Sequence, residues 1–558
     1  LLPLLPLLAV AASGGFRTVL GVSLGTGLLL AAMASAPVVY LLARAARPGL
    51  GSARERLGAA LFLVLALALT FFTLYNRWFE GLPSVGGGDA GQHLGLRLRF
   101  LADQPNAYYG FTGFYALTHW LEAALGLGAF ESFRAVFYAV PCCLALVVAA
   151  AFLRTAEDGQ RFWAGLAVLA LGFAATAVFV TLPLLHYHQA DGFYPHLFSL
   201  VPLFAGWVLY GAAGDKRLRL LLPPATAVYL RFTYGLNLGD LLVTAAVLWA
   251  LEARGLEGRW RWAVRLGSVG LVAGAAAVYA QLLPLMASMP GGVVAHRSVQ
   301  LGVVQVAMSV VLFSLPALAA RLAAPLSEPG VRLARFAGLF CALGGVVPLA
   351  FHALALPIHY YLYKYGLDGV VLLTAAWAVC LAELVPSLLL QPKARAARPV
   401  AGALVAALAV GTVYLDRSFP PQWASFVERV WGTAPWKALG PLRDPAAAAR
   451  IEEVLSSERR AFGGVIGSSW PLTIFLNASF GLWQDWPQFE NLVLLRDEGR
   501  CWFWYAQPDP FAGFGAQVVP PRLQGRAAEL EADPAARCDE YQARWSPGVT
   551  VRLCHSCR

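Results

Sequence analysis

Charge is what this chain has least of. Asp, Glu, Lys and Arg make up only 13% of 558 residues, against 58% hydrophobic residues. A soluble domain carries roughly twice that charge, so a soluble globular fold is excluded at the outset. Acid is scarcer than base, with 32 Asp and Glu against 42 Lys and Arg and a formal net charge of +10. In a soluble protein that excess would raise nucleic acid as a partner. Here the basic residues occupy short loops between apolar runs, the mark of cytoplasmic loops, so the charge reports orientation and no nucleic-acid partner is expected. No cleavable signal peptide is expected from the opening residues. The chain opens at Leu1 inside an apolar run, so an N-terminally truncated fragment is expected.

What is abundant is apolar sequence in lengths that cross a bilayer, which takes about 20 residues per helix. Candidate spans fall near residues 18–43, 57–76, 131–153, 162–185, 195–213, 236–252, 266–285, 300–320, 336–356, 368–390 and 399–415, with 1–12 the remnant of one more. The fold class that follows is a polytopic α-helical membrane protein of about 11–13 transmembrane helices. A multi-pass domain spans residues 1–415, with a first external loop at 77–130, and a small external α+β domain occupies 416–558. Five basic sets, around Arg44 to Arg56, Lys216 to Arg219, Arg254 to Arg265, Arg321 to Arg335 and Lys393 to Arg398, share one side if the spans alternate. Residues 220–251 are the exception. They begin and end beside basic loops yet are too short for two full crossings, and Pro223-Pro224 precedes Arg231 and Asp240. A short or re-entrant helix followed by a full span satisfies both constraints. Arg231 then either pairs with Asp240 or serves a ligand.

The tail reads as a helix at 444–460 and strands at 462–466 and 491–495. Four of the eight cysteines are there, Cys501, Cys538, Cys554 and Cys557. In an oxidising compartment they favour two disulfides, with three connectivities open. Half of a zinc site at Cys554-His555-Ser556-Cys557 is the alternative, against which stands the lack of a second Cys-x-x-Cys or His pair.

The first external loop carries the most specific chemistry. Gly86-Gly87-Gly88-Asp89-Ala90-Gly91-Gln92-His93 allows close backbone approach to a ligand and, on a helix starting at Asp89, sets Asp89 and His93 on one face. Asn106-Ala107-Tyr108-Tyr109-Gly110-Phe111 follows. An acid in the first long external loop, a Tyr and Gly cluster, further spans and an external C-terminal domain resemble the GT-C class of membrane glycosyltransferases, which use lipid-phosphate-linked sugars. Where many relatives have Tyr-Pro-Pro, this chain has Tyr109-Gly110-Phe111. Tyr360-Tyr361-Leu362-Tyr363-Lys364, in a late external loop, looks like the Tyr-Tyr-x-x-Lys pattern of arabinosyl- and mannosyltransferase-like members.

The resemblance implies an inverting transfer of a sugar from a polyprenyl-phosphate donor to an envelope glycan, lipid or protein acceptor, on the outer face of the bacterial inner membrane. Asp89 is then the general base, and Lys364, Arg231 and Arg297 are the candidates for the donor phosphate. His93, Tyr108, Tyr109, His188, Asp191, Tyr360 and Tyr361 line the substrate site. No metal or other cofactor is assigned. A divalent cation held by His186, His188, Asp191 and Asp89 is the alternative, weakened by histidine's preference for zinc-like metals. The competing classes are a transporter or flippase of lipid-linked glycans, which would show repeats and mid-membrane ionisable groups, and a non-catalytic scaffold. Asp89 and Lys364 on opposite faces of the molecule would overturn the transferase reading.

Overall fold

The computed structural model describes residues 4–33, 53–74, 111–127, 129–155, 159–176, 194–287, 294–322, 324–356, 360–390, 397–418, 461–467, 500–506, 532–542 and 550–557, with parts of 93–101 and 446–457. Among these, seven helices are long and apolar enough to cross a membrane, or eight if one bent pair counts as a span. The chain is an integral membrane protein of helices with a small sheet near its C-terminus.

The helices are α1 (Leu4–Leu20), α2 (Leu24–Met33), α3 (Ala53–Leu74), α4 (Thr112–Leu125), α5 (Ala129–Thr155), α6 (Gln160–Thr176) and α7 (Tyr194–Ala212). They continue as α8 (Lys216–Thr233), α9 (Leu238–Glu252), α10 (Gly258–Ala287), α11 (Val294–Arg321), α12 (Glu328–Ala353), α13 (Tyr360–Leu390) and α14 (Ala397–Ser418). Most expected spans fall on one helix each. The first does not. The break expected near residue 12 falls instead at Gly21, where a positive φ of 65° lets α1 end and α2 turn away by 115°. Ser13, Gly14 and Gly15 fall in the gap between the expected runs 1–12 and 18–43. They stay helical because their missing side chains admit neighbours, the Thr112 carbonyl at Gly14 and the Phe232 ring at Gly15.

Helix α13 is the axis of the bundle. Its membrane window is fully buried, and that of α7 is 94% buried, whereas α10 buries 11% and turns Leu266, Val269 and Val272 outward. An outward apolar face is what lipid accepts, since tails are as apolar as leucine. Helices α11 and α12 pack back to back through Gly302 and Gly345, where a methyl on either would come within 2.8 Å of the other's carbonyl oxygen. Small residues at such crossings gain dispersion contacts that larger ones would block.

One end of the bundle is held by cations. Arg219 donates to both carboxylate oxygens of Glu252, at 2.8 and 3.0 Å, and to the carbonyls of Ala213 and Gly214. Lys216 donates to the Gly255 carbonyl and Arg332 to that of Gly211. Each caps carbonyls that a helix C-terminus leaves unpaired. On the same end Ser327 caps α12 by accepting from the Gly330 amide, while the Ser327 amide donates to Glu383. The basic loops at 216–219, 254–265 and 321–335 therefore gather together, as alternating spans require.

Near the C-terminus, β1 (Ala461–Gly467), β2 (Arg500–Ala506), β3 (Arg537–Gln542) and β4 (Thr550–Cys557) form one sheet in the order β1-β2-β4-β3. β1 and β2 are parallel, and the other pairs are antiparallel. The expected strand at 462–466 is β1, whereas 491–495 lies outside the described residues. Cys501 bonds to Cys557 and Cys538 to Cys554, each pair directly opposite in register. This overturns the zinc alternative, because Cys554 and Cys557 are spent in two different bridges.

Removing Arg219 would strand the Glu252 carboxylate and two carbonyls at once. Arg219→Ala is expected to cost about 3 kcal/mol. Denaturant unfolding in micelles measures this, and a loss much below 1 kcal/mol would show that the clamp is solvated.

Candidate functional site

Helices α8 and α9 form a hairpin whose tip ends inside the protein. Asp215 starts α8 by accepting from the Arg217 amide, and α8 then runs 18 residues, about 27 Å, to Thr233. Tyr234 is extended, with φ −162° and ψ 101°, and one 3₁₀ turn, Gly235–Asn237, leads into α9. Tyr234, Asn237 and Asp240 are all buried. Non-helical backbone at this depth survives only where protein surrounds it. This is the short helix followed by a span that residues 220–251 called for.

The surroundings are polar and aromatic. Asn237 Nδ2 donates to Asp368 Oδ2 at 2.7 Å, and His196 Nε2 lies 2.8 Å from Asp368 Oδ1. One carboxylate thus joins the tip to α7 and α13. The Tyr234 ring lies 4.5 Å from the His196 ring and stacks on Phe111 at 5.8 Å. One turn into α9, Tyr279 of α10 donates its hydroxyl to Asp240 Oδ1, and Tyr365 of α13 donates to Tyr279 at 3.4 Å.

The first-loop residues approach from the side. His93, Leu96, Arg97, Phe100 and Leu101 are helical and recur at i, i+3, i+4, i+7 and i+8, the inward stripe of an amphipathic helix. Arg97 fastens it to α4 through Thr118 at 3.1 Å and through Glu122, and Arg17 reaches across from α1 to the Leu101 carbonyl at 3.1 Å. That anchoring holds His93 with Nδ1 3.1 Å from the Tyr115 hydroxyl and its ring edge-on to Phe111 at 5.0 Å. Burial, and after it the positive charge of Lys364, push the His93 imidazole down to about 3. His93 is therefore neutral at physiological pH, and Lys364 is close enough to act on it.

Of the residues expected from sequence, His93 and Lys364 are thus brought together, and both are buried. Tyr360 and Tyr361 sit in the first turn of α13; their side chains lie outside the described set, as do Asp89, Tyr108, Tyr109, His188 and Asp191. Arg297 is in the first turn of α11 and half-buried. The Arg231–Asp240 pair is overturned. Arg231 is exposed on the outer stripe of α8 with Leu221 and Val228, while Asp240 faces inward to Tyr279, because the chain reverses between them. Among the described residues, no three His, Cys, Asp or Glu side chains are grouped to hold a metal ion.

Sequence reasoning gave no role to His196, Asn237, Tyr279, Tyr365 or Asp368. A signal existed for Asp368, which lies one helical turn after Lys364 and so on its face. Assigning Lys364 to an external loop and residues 368–390 to the next span hid it.

The His93 shift has a stability consequence. An imidazole held neutral in the fold at about 3 binds a proton more readily when unfolded, near 6.5. Its contribution is complete above pH 6.5 and is lost as pH falls toward 3. Between pH 7 and 5 the loss should be about 2 kcal/mol. His93→Gln should flatten the melting temperature over that range, and an unchanged slope would place the titration elsewhere.

No family model and no curated protein matches the chain. Among solved structures it is similar to the crystal structure of ArnT from Cupriavidus metallidurans bound to undecaprenyl phosphate, at 14% identity and a TM-score of 0.41, over 89% of this chain and 97% of that one.

Proposed function

We propose that the chain is an inverting membrane glycosyltransferase that takes a sugar from a polyprenyl-phosphate donor and passes it to an envelope glycan, lipid or protein. The observation that carries this is the meeting of His93 and Lys364. The two motifs singled out in the sequence lie far apart in the chain, yet the Lys364 charge reaches a buried His93 beside the aromatic wall of Phe111, Tyr115 and Tyr234. Lys364 is buried at the head of the most buried helix, a position that suits a charge directed at an anion, and the phosphate of a lipid-linked donor is one that arrives through the membrane.

The proposed chemistry uses these residues in order. The Asp89 carboxylate accepts the proton of the acceptor hydroxyl. The acceptor oxygen bonds to the anomeric carbon as the bond to the phosphate oxygen breaks, through an oxocarbenium-like state. The phosphate leaves with its negative charge set against Lys364, with Arg297 as the second cation. Arg231, facing outward, is the weakest of the three phosphate candidates. His93 stays neutral, so it adds a polar contact and no charge. The Lys364 end lies opposite the cation-clamped end, which, with the positive-inside tendency of basic loops, supports a site on the outer side of the bacterial inner membrane. No cofactor is required by this scheme.

A second reading, transport of a lipid-linked glycan, is favoured by one observation. Asp240 and Asp368 are ionisable groups buried within spans, as transporters often have. One experiment separates the two. In proteoliposomes supplied with a labelled polyprenyl-phosphate sugar, Asp89→Asn should retain donor binding and lose transfer by roughly 10²- to 10⁴-fold. Lys364→Met should weaken donor binding by about 2–3 kcal/mol, roughly 30- to 150-fold. Full transfer by Asp89→Asn would remove it as the base, and movement of the donor across the bilayer without transfer would establish the transporter.

A further inference from the structure

A different part of the bundle holds polar side chains that the proposed transfer does not use. Asp240 and Thr244 lie on one face of α9 at i and i+4, with Asn237 just before them in the 3₁₀ turn that leads into α9, and Gln305 and Ser309 lie on one face of α11 at i and i+4. All five are buried, Asp240, Thr244, Gln305 and Ser309 to 0% exposure and Asn237 to 2%. Six of their polar atoms have no hydrogen-bond partner: Asn237 Oδ1, Asp240 Oδ2, Thr244 Oγ1, both amide atoms of Gln305 and Ser309 Oγ. Buried polar groups are otherwise nearly always paired, and an unpaired one costs on the order of 1–3 kcal/mol.

Glycines on the neighbouring helices make room for this seam. A methyl at Gly344 of α12 would stand 3.1 Å from Gln305 Nε2 and 3.5 Å from Asp240 Oδ2, so both side chains converge on that glycine. A methyl at Gly369 of α13 would overlap the Gln305 amide, at 1.9 Å. The amide nitrogen and oxygen have the same shape, and a half-turn of the group presents Gln305 Oε1 to the same point.

We propose that Asp240 and Gln305, converging on Gly344, form a binding site for a small monovalent cation of the sodium type. Thr244 and Ser309 extend the same oxygen-bearing faces by one turn. The converging donors are a carboxylate and an amide oxygen, which suit a hard cation and not a soft transition metal. The charge matches one positive ion, since Asp240 supplies the seam's carboxylate and that of Asp368 is already engaged by His196 and Asn237. Tyr279 takes up Asp240 Oδ1 and leaves Oδ2 toward Gly344 and Gln305, where one bound cation would balance an ionised Asp240 within the span. This site stands apart from the transferase reading and holds or fails without it.

The test uses the purified full chain in micelles at constant pH and ionic strength, replacing choline chloride stepwise by sodium chloride and following the melting temperature through tryptophan fluorescence. A saturable rise in melting temperature is expected for the native protein. It should be lost in Asp240→Asn and Gln305→Leu and shifted to higher sodium in Gly344→Ala, whose methyl narrows the site. No difference between sodium and choline in the native protein would overturn the proposal, in favour of a protonated Asp240 with water. A sodium-dependent rise that survives in Gln305→Leu would overturn it as well, and that variant serves even if Asp240→Asn does not fold.

Discussion

The Asp368 carboxylate, shared between His196 and Asn237, is the constraint on which the rest of the bundle depends. A chain that reverses inside a membrane protein exposes peptide groups and polar side chains where water is not at hand, and each needs a partner. Asn237 is such a side chain, at the tip of the α8–α9 hairpin, and Asp368 is its partner on the central helix. A carboxylate in that position would itself be costly, and His196 meets it from α7. Three helices are thereby fixed in register at one depth. The same fixing sets Tyr234 between His196 and Phe111, which forms the aromatic wall beside His93.

The other end of the hairpin is fixed by different means. Arg219 and Lys216 bind Glu252 and the carbonyls at the ends of α7 and α9, so both feet of the hairpin stand at one level. With feet and tip both pinned, Arg231 is left outside and Asp240 inside. The two ends also divide labour. Cations at the feet are consumed by helix C-termini, and Lys364 lies at the opposite end, where the proposed donor site is.

Much of this organisation was legible in the sequence, because helix length and loop charge are local properties. The spans, the basic end, the anomalous length of residues 220–251 and the shared face of Asp89 and His93 follow from runs and spacings, whereas Lys364 stands out through the resemblance of its motif to a family pattern. What was not legible depends on which faces meet. Asp240 was visible as an acid in a span, but the choice of Tyr279 over Arg231 as its partner is set by the rotation of α9 against α10. Gln305 and Gly344 carried no local signal at all, since Gln in a membrane helix and Gly at a helix crossing are each ordinary until they are seen to face one another. The break at Gly21 was missed for a similar reason. Ser13-Gly14-Gly15 looks weaker as a helix than Gly21-Val22-Ser23, and only the packing against Thr112 and Phe232 reverses that order.

The pairing of a neutral histidine with a buried lysine has a physical logic of its own. Two positive charges in one low-dielectric pocket repel strongly, so the field of Lys364 and the burial of His93 act in the same direction and keep the imidazole uncharged. The pocket thus carries a cation whose neighbour cannot share or screen it by protonation. In the proposed transfer, a charged His93 would leave the donor phosphate held by two cations and slower to depart. With His93 neutral, Lys364 supplies the positive charge and the histidine contributes shape and a polar edge. Stabilisation that grows as charge develops on the departing phosphate accelerates transfer, whereas stronger binding of donor and transition state alike would not raise the turnover rate.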